Sequence, residues 1–127
     1  MKKILIIDDE KDFVLLLKKN LEVVGDFEVQ TCHDGQSGVE KAKSFLPDVI
    51  LCDIMMPGIS GKEVVDILRK DKATAAIPVA FLTALVSSEE TLANRNYIGG
   101  EFFISKPIRL KELLGIIEEL TKKQSSK

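Results

Sequence analysis

Between Val49 and Gly58 the chain reads Val-Ile-Leu-Cys-Asp-Ile-Met-Met-Pro-Gly: an apolar run that stops at a carboxylate and turns at once. Consecutive apolar residues without polar alternation read as a strand buried on both faces. Such a strand needs a covering layer on each side, which leaves few architectures open. Asp53 then falls at the strand's carboxyl end, where open α/β sheets place their ligand crevice. A second run, Ile4-Leu5-Ile6-Ile7, ends the same way at Asp8-Asp9. Two strand ends that each deliver carboxylates predict a site rather than a core.

The rest of the chain alternates strand and helix patterns. Strands are expected at residues 3–7, 27–32, 49–52, 79–83 and 102–105. Phe13, Leu16, Leu17, Leu21 and Val24 recur as a helical stripe that Gly25 stops. Val39, Ala42 and Phe45 line a weaker helix, ended before Pro47. Val64, Val65, Ile67 and Leu68 line a third helix after Gly61. Ser87-Ser88-Glu89-Glu90 opens a fourth, with hydroxyls to cap it and acids to face its dipole; Gly99-Gly100 ends it. Asn94-Arg95-Asn96 makes that helix the poorest of the set. Leu110, Leu113, Leu114, Ile117 and Leu120 stripe the last. The expected domain covers residues 1–121, and residues 122–127 form a polar tail.

Strict alternation implies right-handed crossovers and a parallel sheet covered on both faces. Five such units predict an α/β, flavodoxin-like doubly wound five-stranded parallel sheet of order 2-1-3-4-5 with five helices. In that order the first and third strands are neighbours at the switch point. Asp8, Asp9 and Asp53 then converge in one crevice.

Composition narrows the function classes. The chain has 127 residues, room for one domain and too few for two. A net charge of −2 and an apolar fraction of 45% argue against direct nucleic-acid contact, disorder and membrane residence. Met1-Lys2-Lys3 resembles a signal-peptide start, but the apolar run is short and Asp8-Asp9-Glu10 stop it. Cys32 and Cys52 lie in strand patterns without metal-ligand spacing, as buried thiols in a reducing compartment do. Cytoplasm is the expected location. His33, in a polar turn, reads as surface.

Three carboxylates in one crevice repel each other and lose water, so they demand either protons or a cation. A hard divalent ion with oxygen ligands meets that demand, and Mg²⁺ is the abundant one. An Asp carboxylate beside such an ion is a nucleophile for phosphoryl groups. Thr83 ends the fourth strand, where its hydroxyl could reach a phosphoryl oxygen. Lys106 follows the fifth and could supply further positive charge. Pro107 comes next, and a cis bond there could aim the lysine into the crevice.

Asp8-Asp9, Asp53 with Met56-Pro57-Gly58 and Gly61, Thr83-Ala84 and Lys106-Pro107 together resemble the two-component response-regulator receiver domain. Each piece alone is common; all of them, in order and at strand ends, are specific. The resemblance implies that Asp53 is the phospho-acceptor and that Asp8 and Asp9 bind Mg²⁺, with the Met55 backbone carbonyl completing the metal shell. It implies that Thr83, the Ala84 backbone and Lys106 bind the phosphoryl group, and that Thr83 and Phe103 form the switch. It further implies a histidine kinase or histidine phosphotransfer protein as donor. An output partner or domain would be read from the fourth helix, fifth strand and fifth helix. Arg95, Ile98, Gly100 and Phe102 depart from the family's usual residues on that output face.

Two other classes compete. A Mg²⁺-dependent phosphatase with an aspartate nucleophile resembles this site, but usually carries a second Asp where Met55 stands. A flavodoxin-like FMN carrier needs a Ser/Thr/Gly-rich phosphate loop after the first strand, where this chain has Asp8-Asp9-Glu10.

Overall fold

The computed structural model describes residues 1–83, 97–98, 101–106 and 108–125. Five parallel strands form the sheet: β1 (Lys2–Ile7), β2 (Phe27–Cys32), β3 (Val49–Asp53), β4 (Val79–Thr83) and β6 (Glu101–Ser105). A two-residue strand, β5 (Tyr97–Ile98), adds an antiparallel edge, so the spatial order is β2-β1-β3-β4-β6-β5. The parallel strands thus follow the expected 2-1-3-4-5 order. Helices α1 (Lys11–Val24), α2 (Gly35–Phe45), α3 (Gly61–Arg69) and α4 (Leu110–Ser125) cover the faces.

The strand side chains divide between two cores, because successive residues point to opposite faces. Ile4 and Ile6, Val49 and Leu51, Ala80 and Leu82, and Phe102 and Ile104 pack with Val14, Leu17 and Leu21 of α1 and with the buried face of α4. Leu5 and Ile7, Ile50 and Cys52, and Val79 and Phe81 pack with Val39 and Ala42 of α2 and Val64, Val65 and Leu68 of α3. This two-sided burial is why β1, β3 and β4 carry unbroken apolar runs. Each fully buried aliphatic side chain is worth about 1.5–3 kcal/mol over an exposed one.

Local signals set the helix ends. Asp34 caps α2 by accepting from the Ser37 N–H at 2.8 Å. Ser60 and Glu63 form a reciprocal capping box on α3. The α2 helix closes on Leu46, held at a left-handed φ of 50°.

Four expectations change. The buried stripe of α1 is Val14, Leu17 and Leu21, while Leu16 is 60% exposed and Val24 is exposed too. The helix carries apolar residues without a break from Phe13 to Leu17, so spacing alone fitted more than one stripe. On α3, Ile67 is 39% exposed and Gly61 takes part in the packing instead. Tyr97–Ile98 is strand, not the end of a helix running to Gly99-Gly100. The remainder of the expected fourth helix lies outside the described residues. The last helix continues to Ser125, through most of the segment expected as a polar tail. Among the described residues, no helix is long and apolar enough to cross a membrane.

Candidate functional site

Strand register builds the site. Ile7 pairs with Cys52, so the next residues on each strand, Asp8 and Asp53, emerge side by side. Thr83 closes β4 opposite Ser105 of β6, and the Lys106 N–H donates to the Thr83 carbonyl at 2.9 Å. Asp8, Asp53, Thr83 and Lys106 therefore meet at one end of one sheet.

Asp8 is wholly buried. Its N–H donates to the Cys32 carbonyl at 3.0 Å, and its Oδ1 accepts from the Glu10 N–H at 2.9 Å. Its Oδ2 pairs with Lys106 Nζ at 2.9 Å, yet off the direction of a hydrogen bond, so this buried oxygen lacks a well-aligned donor. Lys106 Nζ also pairs with Glu10 Oε1 at 2.7 Å and stands 3.8 Å from Asp53 Oδ2. The Phe13 ring covers the ammonium, 4.6 Å from the ring centroid. Burial alone would lower the Lys106 pKa, but the close contacts with Glu10 and Asp8 and the neighbouring carboxylate charges raise it overall. The lysine is held charged.

Asp53 is 8% exposed. Burial first, and the Asp8 charge second, push its carboxyl up to about 6; Lys106 and a hydrogen bond from the Met55 N–H pull the other way. The Asp9 charge is also felt there, as a smaller upward push. Beneath it, burial and the two carboxylates push the Cys52 thiol up to about 12. Cys32 and Cys52 are both free and buried, as expected, and Cys52 is kept protonated and unreactive.

Asp8, Glu10 and Asp53 each place one carboxylate oxygen within 4.8 Å of the others. Clustered hard oxygens, one of them buried without an aligned donor, fit a small divalent cation. Asp9 is exposed and is not one of these three. Met55 is 66% exposed, and it contributes its amide to Asp53. Phe103 is half-buried on β6 against Phe81 of β4, with ring centroids 5.5 Å apart. Ala84 and Pro107 lie outside the described residues. His33 is exposed, with Nδ1 3.2 Å from the Asp8 carbonyl.

Glu10 and Gly61 make contacts at this site that a reading of the sequence alone does not give. Glu10 looks like a third acid in a charged run, and nothing local links it to residue 106. Gly61 looks like a helix start, but it lies directly against the Asp53 backbone.

The family model described as response regulator receiver domain matches residues 4–118. The DNA-binding dual master transcriptional regulator RpaA of Synechocystis sp. is 36% identical over 123 residues, covering 97% of this chain and 50% of RpaA. Response regulator ArlR of Staphylococcus saprophyticus is 34% identical over 127 residues, all of this chain and 56% of ArlR. The chain thus spans about half the length of these curated relatives. A CheY-like response regulator receiver domain protein from Methanospirillum hungatei is 27% identical, with a TM-score of 0.81 over 99% of this chain and 98% of that one.

Proposed function

The chain belongs to the response regulator receiver domain family, and on that premise we propose that it accepts a phosphoryl group on Asp53. The observation that carries this reading is the meeting of Asp53 with Asp8 and Lys106 at the end of a buried strand. An Asp53 carboxylate oxygen attacks the donor's phosphorus, and the bond from phosphorus to the donor's leaving group breaks. The product is an aspartyl phosphate. The Lys106 ammonium and the Thr83 hydroxyl hold the transferred oxygens, with the Ala84 amide as a further donor. Such transfer depends mostly on positioning and charge neutralisation, and the charged lysine beside Asp53 supplies both.

In this reading Asp8, Asp9, Asp53 and the Met55 carbonyl would hold Mg²⁺ in the acidic crevice, where it would neutralise charge on the phosphoryl oxygens. Glu10 is a further oxygen within reach of that cluster. The donor is a histidine kinase or a histidine phosphotransfer protein in the cytoplasm, acting on a receiver unit of residues 1–121. The switch couples Thr83 to Phe103, and the output is read by a partner or by a further domain. RpaA is named a DNA-binding regulator; a DNA-binding output reached through other residues is therefore one such end point. A phosphatase acting on outside substrates is disfavoured, because Met55 stands where its general acid would be.

The test is intact mass after incubation with acetyl phosphate and Mg²⁺. One phosphoryl adduct is expected on the wild type and none on Asp53→Asn. An equal adduct on the variant would overturn the assignment.

A further inference from the structure

Glu10 sits at the N-cap of α1, but its side chain makes no capping hydrogen bond. Its carboxylate serves no helix end. Its own N–H is tied to Asp8 Oδ1 at 2.9 Å, which fixes where the side chain starts. From there the carboxylate takes the Lys106 ammonium at 2.7 Å, closer than Asp8 at 2.9 Å and much closer than Asp53 at 3.8 Å. Phe13, three residues on, covers the same ammonium. Residues three apart share a helix face, so Glu10 and Phe13 grip the lysine together from the α1 side.

We infer that Glu10 is a positioning residue that parks Lys106 away from Asp53 and yields it when Asp53 is phosphorylated. The inference rests on the reading of Asp53 as phospho-acceptor. The exposures of the two partners explain why Glu10, not Asp8, is the releasable one. Asp8 has no exposed side-chain surface, so losing its cation would strand a buried charge. The Glu10 side chain is 60% exposed, so water replaces the lysine at little cost. A phosphoryl group on Asp53 brings new oxygens and more negative charge than one wet carboxylate can match. Glu10 thereby opposes the phosphorylated state, and removing it favours that state.

The test uses beryllofluoride, a stable mimic of the phosphoryl group, at saturating Mg²⁺. Its affinity is measured for the wild type, Glu10→Gln, Lys106→Ala and the double variant, with Mg²⁺ affinity measured separately. Glu10→Gln is expected to bind beryllofluoride about threefold to fivefold more tightly, the scale of one exposed ion pair. The same substitution in the Lys106→Ala background is expected to change nothing. In metal-free protein, the Lys106 side-chain ammonium NMR signal is expected in the wild type and broadened by exchange in Glu10→Gln. Equal tightening in both backgrounds would reduce the effect to bulk charge and overturn the inference. So would unchanged or weaker beryllofluoride binding in Glu10→Gln at a Mg²⁺ concentration that saturates that variant, or an unaltered ammonium signal. A wild type that binds no beryllofluoride would overturn the phospho-acceptor reading and this inference with it. Normal wild-type binding with no effect of Glu10→Gln overturns the inference alone.

Discussion

Gly61 lies so close to Asp53 that a β-carbon on it would stand 2.3 Å from the Asp53 carbonyl oxygen and 2.9 Å from the Ile54 α-carbon. The Gly61 N–H also donates to the Ile54 carbonyl at 2.8 Å. The start of α3 is therefore pressed onto the end of β3, and it holds the candidate phospho-acceptor in place. Both obstructing groups are backbone, which cannot rotate aside as a side chain can. Gly61→Ala is expected to cost about 1–3 kcal/mol, as overpacking does, and to slow phosphorylation by acetyl phosphate. Gly58 is the control, because its φ of +82° strains any side chain but nothing lies within 4 Å of the added carbon. Gly58→Ala should cost about 1–2 kcal/mol and leave the phosphorylation rate near wild type. Urea denaturation and an adduct time course check both. Equal phosphorylation rates for the two variants would contradict the positioning role of Gly61.

Stability should depend on pH through Asp53. Its folded carboxyl lies near 6, raised from 3.8 by burial first and by Asp8 second. Between about pH 4 and pH 6 the folded protein keeps a proton that the unfolded chain has released, so metal-free stability falls as pH rises through that window. Above it, this contribution is flat. The Asp53→Asn variant lacks the titration. It should be more stable than wild type at pH 7 by on the order of 1–2 kcal/mol, discounted for water reaching the site edge, with the gap closing near pH 4. Denaturation in EDTA at both pH values measures the gap, and a gap independent of pH would refute the argument.

Metal should act with the opposite sign. A cation that binds only the folded state stabilises it, by about 2.7 kcal/mol at a hundredfold excess over Kd. Adding Mg²⁺ at pH 7 is therefore expected to raise Tm. Asp9→Ala should weaken Mg²⁺ binding about tenfold, a value typical of losing one interaction of about 1.4 kcal/mol. Calorimetric titration distinguishes the outcomes. Unchanged affinity in Asp9→Ala would leave Asp8, Glu10 and Asp53, which the structure clusters, as the whole carboxylate set.

The register of β4 on β6 gives the switch proposal a geometry. Phe81 pairs with Phe103 and Thr83 with Ser105, so Thr83 and Phe103 are diagonal neighbours on one face of the sheet. Movement of the Thr83 side chain toward a phosphoryl group alters the space beside Phe103. Phe103→Ala should cost about 1–3 kcal/mol, less than for a fully buried ring because this one is half-buried. It should also abolish beryllofluoride-induced changes in amide exchange on β6 while leaving beryllofluoride bound. Exchange changes on β6 that persist in the variant would separate Phe103 from the response.

Much of this was legible without coordinates. Five parallel strands, their order and the end at which Asp8, Asp53, Thr83 and Lys106 gather follow from apolar runs, their bounds and the handedness of crossovers. Those are local signals joined by one topological rule. The two-residue β5 was missed, although Gly99-Gly100 between its partners is a dipeptide of the kind hairpins favour. Tertiary packing alone chose Val14, Leu17 and Leu21 over Leu16 and Val24 as the inner stripe of α1, because nearly every side of that helix's first turns is apolar. Packing alone also brought Gly61 onto the Asp53 carbonyl and Glu10 onto Lys106, 96 residues away in the chain. Apolar periodicity records which residues leave water. It does not record which of two buried strand ends a loop crosses, and a contact of 2.7 Å between distant side chains depends on that path.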